Sequence, residues 1–363
     1  MEGGVLVIGE ASAHPPMLVM ARESRAMTQA DVAEAMTKIL DGEGNVSQGY
    51  VSKAEAGRLA VTGDRLALYA RALRYPPHLL CLDADIEGAG VGLIHHRKKA
   101  SLTTTSLRTI HAQLNLVRLQ LHNLLRAVEK PPAVLFEHID VDDYDTAEDA
   151  AQTLRARWGL PRGPIESVVG AIESAGGLVL RRSLAGRELD AVSQWPTGER
   201  PIFVLNTHAS ADRQRFTLSH ELGHVVMHVV PNGSQEQQAD QFASEFLLPA
   251  RDIGPHLRAD IDLDRLYELK KIWRVSMAAL LRRAHTLGAV SDWRYRQLNI
   301  ELSTLGYRTT EPQVSPRETP VLVPALIGHL QQVQHLTVAD LARLAGLHED
   351  EFSDSFLMEL GTP

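Results

Sequence analysis

Apolar side chains repeat at helical spacing through most of this chain. Within residues 213–230 they recur every three or four positions, and the pattern ends at Pro231. A second apolar stripe runs from residue 236 to Leu248 and stops at Pro249. Both segments are therefore predicted to be helices that bury one face.

The first 130 residues show the same helical pattern. Residues 22–35 predict one helix, a break at residues 26–27, and a second helix that begins at the N-cap Thr28, with Asp31 three positions later. Further helices are predicted at residues 46–57, 66–80 and 102–128.

Short strand-like segments occur between residues 177 and 206, each bounded by turn residues. They cover residues 177–184, 188–195 and 201–206. We interpret them as a small antiparallel sheet whose last strand leads into the helix at 213–230. The fold class is therefore predicted to be mainly α (α+β), with further helices at residues 146–158, 164–175, 261–267 and 269–287.

Proline and glycine positions suggest how the chain divides into domains. Pro131 and Pro132 mark one boundary, and residues 307–319 read as a loose linker. We expect a helical N-terminal domain at 15–80, a helical linker at 81–130, a sheet-containing domain at 131–250, a helical subdomain at 251–310 and a small helical tail at 320–363. The tail is expected to have a packing or dimerisation role, so a homodimer is possible.

Composition limits the possible partners and compartments. The 363-residue chain has a formal net charge of −8, so any contact with nucleic acid must come from a local basic patch. Cys81 is the single cysteine, which excludes an intrachain disulfide and fits a reducing cytosol. No signal peptide is recognisable, and no apolar run is long enough to cross a bilayer. We therefore expect a cytoplasmic protein with no membrane partner.

The helix at 213–230 contains the strongest chemical motif, His220-Glu221-Leu222-Gly223-His224. Residues four apart lie on one helix face, so the two histidines can direct their rings to one metal ion. Glu221 follows the first histidine, where its carboxylate can act as a general base. The alternative is a pair of buried histidines that only pack. His228 lies about 12 Å along the helix from His220, too far to share its ion, and a core or supporting role is preferred for it.

A third ligand is expected from the following helix. Glu236 and Asp240 are four residues apart on one face. One can bind the metal while the other accepts the free N–H of a ligating histidine. Glu245 lies about two and a half turns further on and ranks below Glu236. An ordinary solvated acidic face is the alternative interpretation.

These residues resemble a known family. RFTLSHELGH followed by ExxADxFAxxFLLP resembles the ImmA/IrrE metallopeptidases, zinc proteases that cleave transcriptional repressors in bacteria and their mobile elements. The resemblance implies that His220, His224 and Glu236 bind Zn²⁺ and that Glu221 is the general base. Asp240 falls where the family carries Asn or Asp. It also implies a zincin-like domain and a protein substrate.

The N-terminal sequence resembles a second family. TQADVA, VSQGYVSKAEAG and LYARAL resemble the XRE helix-turn-helix domains, which read DNA operators through the second helix of the pair. An insertion at residues 37–45 replaces the family's tight turn, and a protein-interaction module that has lost DNA binding remains the alternative. The resemblance assigns DNA contact to Ser47, Gln48, Gly49, Tyr50, Ser52 and Lys53.

The strongest basic run, at residues 95–99, is not part of either resemblance. We favour a solvated helix start over a phosphate clamp for it. His95 and His96 are adjacent and point in divergent directions, so they are not expected to bind one metal together.

The two resemblances together predict a zinc-dependent endopeptidase that regulates transcription by cleaving a helix-turn-helix repressor or an antitoxin-like partner. The alternative is a DNA-binding regulator or antitoxin whose peptidase-like domain senses or holds a partner without cutting it. His208 is a weak candidate for stabilising the oxyanion. A chain without residues 1–80 is expected to keep the peptidase chemistry and lose target selectivity.

Overall fold

The computed structural model describes residues 11–82, 94–96, 103–141, 146–184, 189–208, 211–230, 232–257, 260–308, 310–312 and 316–357. Within these residues, helices dominate and four strands form one small sheet. The predicted fold class, mainly α with a small sheet, is confirmed. None of the described helices is long and apolar enough to cross a membrane.

Five helices make up the N-terminal region. They are α1 (Pro15–Ser24), α2 (Gln29–Ile39), α3 (Gln48–Glu55), α4 (Gly63–Leu73) and α5 (Pro77–Leu80). The predicted break between the first two is present, with Ala26 at φ 55° and a reciprocal capping box between Thr28 and Asp31. The insertion after α2 folds back, because Thr37 Oγ1 accepts a hydrogen bond from the Val46 N–H at 2.9 Å.

A partly buried ion pair connects the N-terminal helices. Glu55 on α3 accepts hydrogen bonds from Arg22 Nε on α1 at 2.6 Å and from Gln29 Nε2 on α2 at 2.9 Å. Because one carboxylate joins three helices, the angle between α2 and α3 is fixed from inside the domain.

The next elements are β1 (Ile94–His96) and the long helix α6 (Thr104–Arg126). The predicted helix start at the basic run is wrong for residues 95–96, which lie in this strand; residues 97–99 lie outside the described part of the chain. These residues form a strand because their backbone pairs with residues 192–194, which are distant in the sequence. The local charge pattern does not indicate this pairing. Helix α6 buries an apolar stripe against α1.

Helices α7 (Ala147–Arg157) and α8 (Val168–Ser174) precede the other strands, β2 (Leu178–Arg182), β3 (Ala191–Gln194) and β4 (Ile202–Asn206). The strand order is β1-β3-β4-β2. Strands β1 and β4 both run antiparallel to β3, whereas β2 and β4 are parallel. The predicted antiparallel sheet is therefore corrected to a mixed one. Strand β4 lies between β3 and β2 in the sheet. Strands β2 and β3 are therefore consecutive in the chain but are not hydrogen-bonded to each other.

Two helices follow β4: α9 (Ala211–Met227) and α10 (Gln235–Leu247). Helix α9 lies against β3, and α10 packs along both α9 and α7. The approach of α9 and α10 is close at Gly223, where an added Cβ would lie 3.0 Å from the Phe242 ring. Glycine at this position therefore lets the two helices meet.

The helical subdomain contains α11 (Ala250–Ile253), a 3₁₀ turn (Gly254–Leu257), α12 (Leu263–Trp273), α13 (Met277–Thr286) and α14 (Asp292–Thr304). The predicted continuous helix over 269–287 is wrong. Arg274 adopts a left-handed conformation with φ 53°, and Ser276 caps the start of α13. Helix α14 was not predicted, because only Leu298 and Leu302 of its residues are buried and the apolar repeat is weak.

The C-terminal tail consists of α15 (Leu322–Gln332), α16 (Val338–Ala345), α17 (Glu349–Phe352) and a π-helical turn (Ser353–Leu357). The segment before it is not loose in its described residues. Glu311 contacts Lys270 Nζ at 2.7 Å, and Glu318 pairs with Arg215 and accepts a bond from Ser167 Oγ. Helix α16 packs against α6, so the tail has the packing role that was one of the two expectations.

Two hydrophobic cores lie on opposite faces of the sheet. One contains the N-terminal helices, α6 and the tail, together with Leu178, Val192 and Val204 of the sheet. The other contains α7 to α14, together with Val179, Phe203 and other sheet residues. The sheet therefore joins the N-terminal helices and the tail to the helices that carry the chemical motif.

Candidate metal centre

Helix α9 buries all three polar residues of the HExxH motif. His220, Glu221 and His224 have 1%, 0% and 0% of their surface exposed. Leu218, Leu222 and Val226 on the same helix are also buried, so apolar packing holds the helix in place. The two imidazole rings follow one another on one face, with centroids 4.7 Å apart.

Glu236 at the start of α10 completes a group of three possible metal ligands. His220 Nε2 and His224 Nε2 are 3.1 Å apart, and the two Glu236 oxygens lie 3.5 Å and 3.3 Å from them. Zinc bonds to nitrogen and oxygen of about 2.0–2.1 Å in a tetrahedral site put donor atoms roughly 3.3 Å apart. The donor set therefore fits one small metal ion. The Glu236 side chain is 51% exposed, which leaves the site open to solvent on that side.

Asp240 orients the first histidine. Its Oδ1 lies 2.9 Å from His220 Nδ1 and its Oδ2 lies 3.4 Å from Arg282 Nη1. Because a carboxylate oxygen can only accept, His220 donates through Nδ1 and turns Nε2 towards the ligand group. This contact is compatible with the supporting role expected for Asp240, which stays a prediction.

His228 lies behind His224, as its spacing along the helix predicts. Its Nδ1 is 3.0 Å from His224 Nδ1, and its Nε2 is 3.1 Å from Gln238 Oε1. Its ring therefore contacts the side of His224 that faces away from His220 and Glu236.

Glu245 belongs to a separate buried network. It pairs with Arg283 and accepts a hydrogen bond from Gln152 Nε2 at 2.9 Å. His208 lies 3.7 Å from Asp190, on the segment that precedes α9. Neither residue is a member of the ligand group among the described residues.

Electrostatic coupling within the metal-free group is strong. Burial opposes the charged form of His220, yet hydrogen bonds to Asp240 and Glu236 outweigh it and raise its pKa to about 9. Burial lowers the pKa of His224, and the neighbouring His220 charge adds to this effect. Hydrogen bonds from His220 and His224 hold the pKa of Glu236 well below its usual range. Glu236 is therefore ionised at neutral pH, and one of the two facing imidazoles carries the positive charge.

Ser193 on β3 contacts the remaining motif residue. Its Oγ donates a hydrogen bond to Glu221 Oε2 at 2.7 Å, with both side chains fully buried. Sequence reasoning missed this residue, and its only signal is a small polar side chain within an apolar strand. The contact sets the direction of the Glu221 carboxylate relative to His220 and His224.

Two known protein families match parts of the chain, and they correspond to the two resemblances noted from the sequence. Residues 172–285 match Peptidase_M78, the IrrE N-terminal-like domain, and residues 18–80 match a helix-turn-helix domain. The chain therefore contains one segment similar to each of these domains. The predicted likeness to ImmA/IrrE peptidases with an N-terminal XRE-type domain is thereby confirmed. No curated protein matches the chain.

The IrrE-like match contains the whole ligand group. It begins in α8 and ends in α13, so it includes the sheet strands β2 to β4, α9 and α10. Both Ser193 and Gln238 fall within it. Strand β1, which pairs with β3, is contributed by residues before the match.

The helix-turn-helix match contains the six residues expected to contact DNA. Ser47, Gln48, Gly49 and Lys53 are exposed, and Ser52 is half-buried. The Ser47 hydroxyl caps α3 by accepting a bond from the Tyr50 N–H, and Gln48 Nε2 donates to Gln29 Oε1 at 2.7 Å. Tyr50 is also half-buried, with the centroid of its ring 6.5 Å from that of Tyr69.

Proposed function

We propose that this protein is a zinc-dependent endopeptidase of the ImmA/IrrE type, which regulates transcription by cleaving a repressor or an antitoxin-like protein. The observation that carries the proposal is the convergence of His220 Nε2, His224 Nε2 and the Glu236 carboxylate within 3.5 Å of one another, beside the buried Glu221. The match to the IrrE-like domain supports the same reading.

Three protein ligands are proposed for the zinc ion: His220, His224 and Glu236. Three ligands leave a fourth position for water or substrate, as in catalytic rather than structural zinc sites. When bound, zinc would polarise a peptide carbonyl and acidify a water molecule. The exposed side of Glu236 is where a polypeptide can reach the site.

Glu221 is proposed as the general base. Ser193 donates to one of its oxygens, which holds the carboxylate in a single orientation. A carboxylate in this position can take a proton from the attacking water and return it to the leaving amine. Proton transfer at Glu221 is thus separate from the ligand role of the histidines on either side of it.

The helix-turn-helix domain is proposed to bind DNA and so to bring the peptidase to its target. The exposed N-terminal end of α3, with Gln48, Gly49 and Lys53, is the part available to a DNA groove. The Tyr50 ring packs partly against the domain core, and DNA contact by its exposed part stays a prediction.

A non-catalytic regulator is the second candidate. Strand β1 is hydrogen-bonded to one edge of β3, the strand that carries Ser193, so this edge is not open to a peptide. A peptidase-like domain with this edge occupied could hold a partner without cutting it.

Glu221→Gln separates the two candidates, because it should keep the ligands and the fold but remove proton transfer. Purified parent and variant, each with its zinc content measured, are incubated with the proteins encoded by adjacent genes, and fragments are identified by mass spectrometry. We expect cleavage by the parent and none by the variant at equal zinc content. A variant that regulates as well as the parent in cells supports the regulator instead. Purified parent protein without stoichiometric zinc after metal-replete expression would count against both the cofactor and the enzyme.

A further inference from the structure

We propose that Gln238 is a positioning residue that selects, through His228, the tautomer in which His224 can bind a metal. This inference rests on the ligand set of the proposed function. It assigns to Gln238 a role that neither the motif nor the family match gives it. It concerns the hydrogen bonds behind His224, on the side away from the other ligands.

The orientation of the Gln238 amide is the first step. Two nitrogen atoms lie close to its oxygen: His228 Nε2 at 3.1 Å and Asn232 Nδ2 at 3.4 Å. Asn232 Oδ1 accepts a hydrogen bond from the Ser234 N–H at 2.9 Å, so Nδ2 is the Asn232 atom that faces Gln238. An amide nitrogen can only donate, so the Gln238 atom beside it has to be the acceptor. His228 must then carry its proton on Nε2.

The second step follows from the chemistry of imidazole. A neutral ring with a proton on Nε2 has an acceptor at Nδ1. His228 Nδ1 lies 3.0 Å from His224 Nδ1, so His224 must be the donor in that contact. With its proton on Nδ1, His224 directs the lone pair of Nε2 towards His220 and Glu236. The reversed chain of bonds would put a proton on His224 Nε2 and block it as a ligand.

Helix α10 therefore orients both histidines of α9. Asp240 acts directly on His220 Nδ1, whereas Gln238 acts on His224 Nδ1 through the His228 ring. Glu236 on the same helix supplies the third donor. One helix thus holds a ligand and the two groups that fix the tautomers of the other ligands, which is the support that metal-binding histidines need.

Three variants test the inference in the full-length protein. Gln238→Leu removes the acceptor, Gln238→Glu keeps an acceptor, and Gln237→Leu is the matched control, since Gln237 is exposed on the same helix. Zinc affinity is measured by competition with a chromophoric chelator. The tautomer of His224 in the metal-free protein is measured from the ¹⁵N chemical shifts of its ring.

Gln238→Leu should lose about 10- to 100-fold in zinc affinity and show a mixture of His224 tautomers. Gln238→Glu and Gln237→Leu should keep the parent's affinity and the Nδ1–H tautomer. Circular dichroism checks that each variant is folded.

The inference is overturned if Gln238→Leu is folded and binds zinc like the parent with the tautomer unchanged. Equal loss in Gln238→Glu and Gln238→Leu would also overturn it, because the acceptor would then not be what matters. Neither readout uses peptide cleavage. A protein that cleaves nothing but shows the expected order of zinc affinities would refute the proposed enzyme and leave the role of Gln238 intact.

Discussion

His220 couples metal binding to pH. Hydrogen bonds to Asp240 and Glu236 outweigh burial and raise its pKa to about 9, so the metal-free protein holds a proton there at neutral pH. A metal ion must displace this proton. Apparent affinity should therefore rise about tenfold per pH unit up to that pKa and become level above it. Calorimetry at neutral pH in two buffers of different ionisation enthalpy counts the protons released, and a metal that binds with no release contradicts the assignment.

Ser193 offers a second test at the scale of one residue. Ser193→Ala removes the hydrogen bond to Glu221 without touching the three ligands. One lost hydrogen bond to a charged group corresponds to about 1.5–3 kcal/mol, so cleavage should slow by roughly 10- to 100-fold while zinc content stays constant. The ratio kcat/KM for the cleaved partner and the bound zinc are measured together. A fall in zinc content would mean that Ser193 supports the ligands and not the base.

Single residues show where sequence reasoning stops. The shared face of His220 and His224 follows from spacing along α9, and that of Glu236 and Asp240 from spacing along α10, and both spacings can be read from the sequence. Ser193 and Gln238 reach their partners across the packing of separate elements, and distances between elements are absent from a linear pattern. Ser193 is a single serine in a strand and Gln238 is one of several glutamines in its helix, so neither belongs to a spaced motif that would identify it as functional.

Packing between α9 and α10 carries the geometry of the ligand group. Gly223→Ala would set a Cβ 3.0 Å from the Phe242 ring and push the two helices apart. Because Glu236 is on α10 and both histidines are on α9, zinc affinity should fall together with stability, the latter by about 1–3 kcal/mol. Denaturant unfolding and zinc competition measure the two effects. Gly233→Ala, in the connection between the helices and with no atom within 4 Å of its added Cβ, is the control and should change neither.

Most helices were predictable at the scale of elements because their caps and apolar repeats are local. Thr28, for example, forms the capping box that the sequence suggested. Strand β1 and the parallel pairing of β2 with β4 depend on partners distant in the chain, so local pattern could not reveal them. The break before α13 depends on Arg274 in a left-handed conformation, which its residue type does not favour.

At the scale of the whole molecule, the N-terminal domain shares its core with the rest of the chain. Leu79 of α5 lies against Gly346 of the tail, and Arg25 contacts Glu351 at 2.8 Å. The predicted division into five domains stays a proposal, but α6 and the tail pack in one core with the N-terminal helices. A chain without residues 1–80 would expose this apolar surface, so the expectation that it keeps its chemistry does not fit the shared core.

Deletion of residues 1–80 should therefore produce a protein that binds a hydrophobic dye and aggregates. Dye fluorescence and size-exclusion chromatography measure this, with full-length Gln48→Ala as the control that alters the exposed end of α3 only. A monomeric truncated protein with no added dye binding would show that residues 81–363 fold independently. If the truncated protein aggregates, the proposed role of the N-terminal domain in target choice is tested with surface substitutions in the full chain.

Strand β1 competes with any peptide that would pair with the same edge of β3. It pairs antiparallel with β3, and His95 lies opposite Ser193, the residue that contacts Glu221. A peptide that used the same backbone groups would have to compete with a segment of the same chain, whose effective concentration is on the order of millimolar. A peptide that pairs with β3 would therefore need contacts beyond these backbone hydrogen bonds to displace β1.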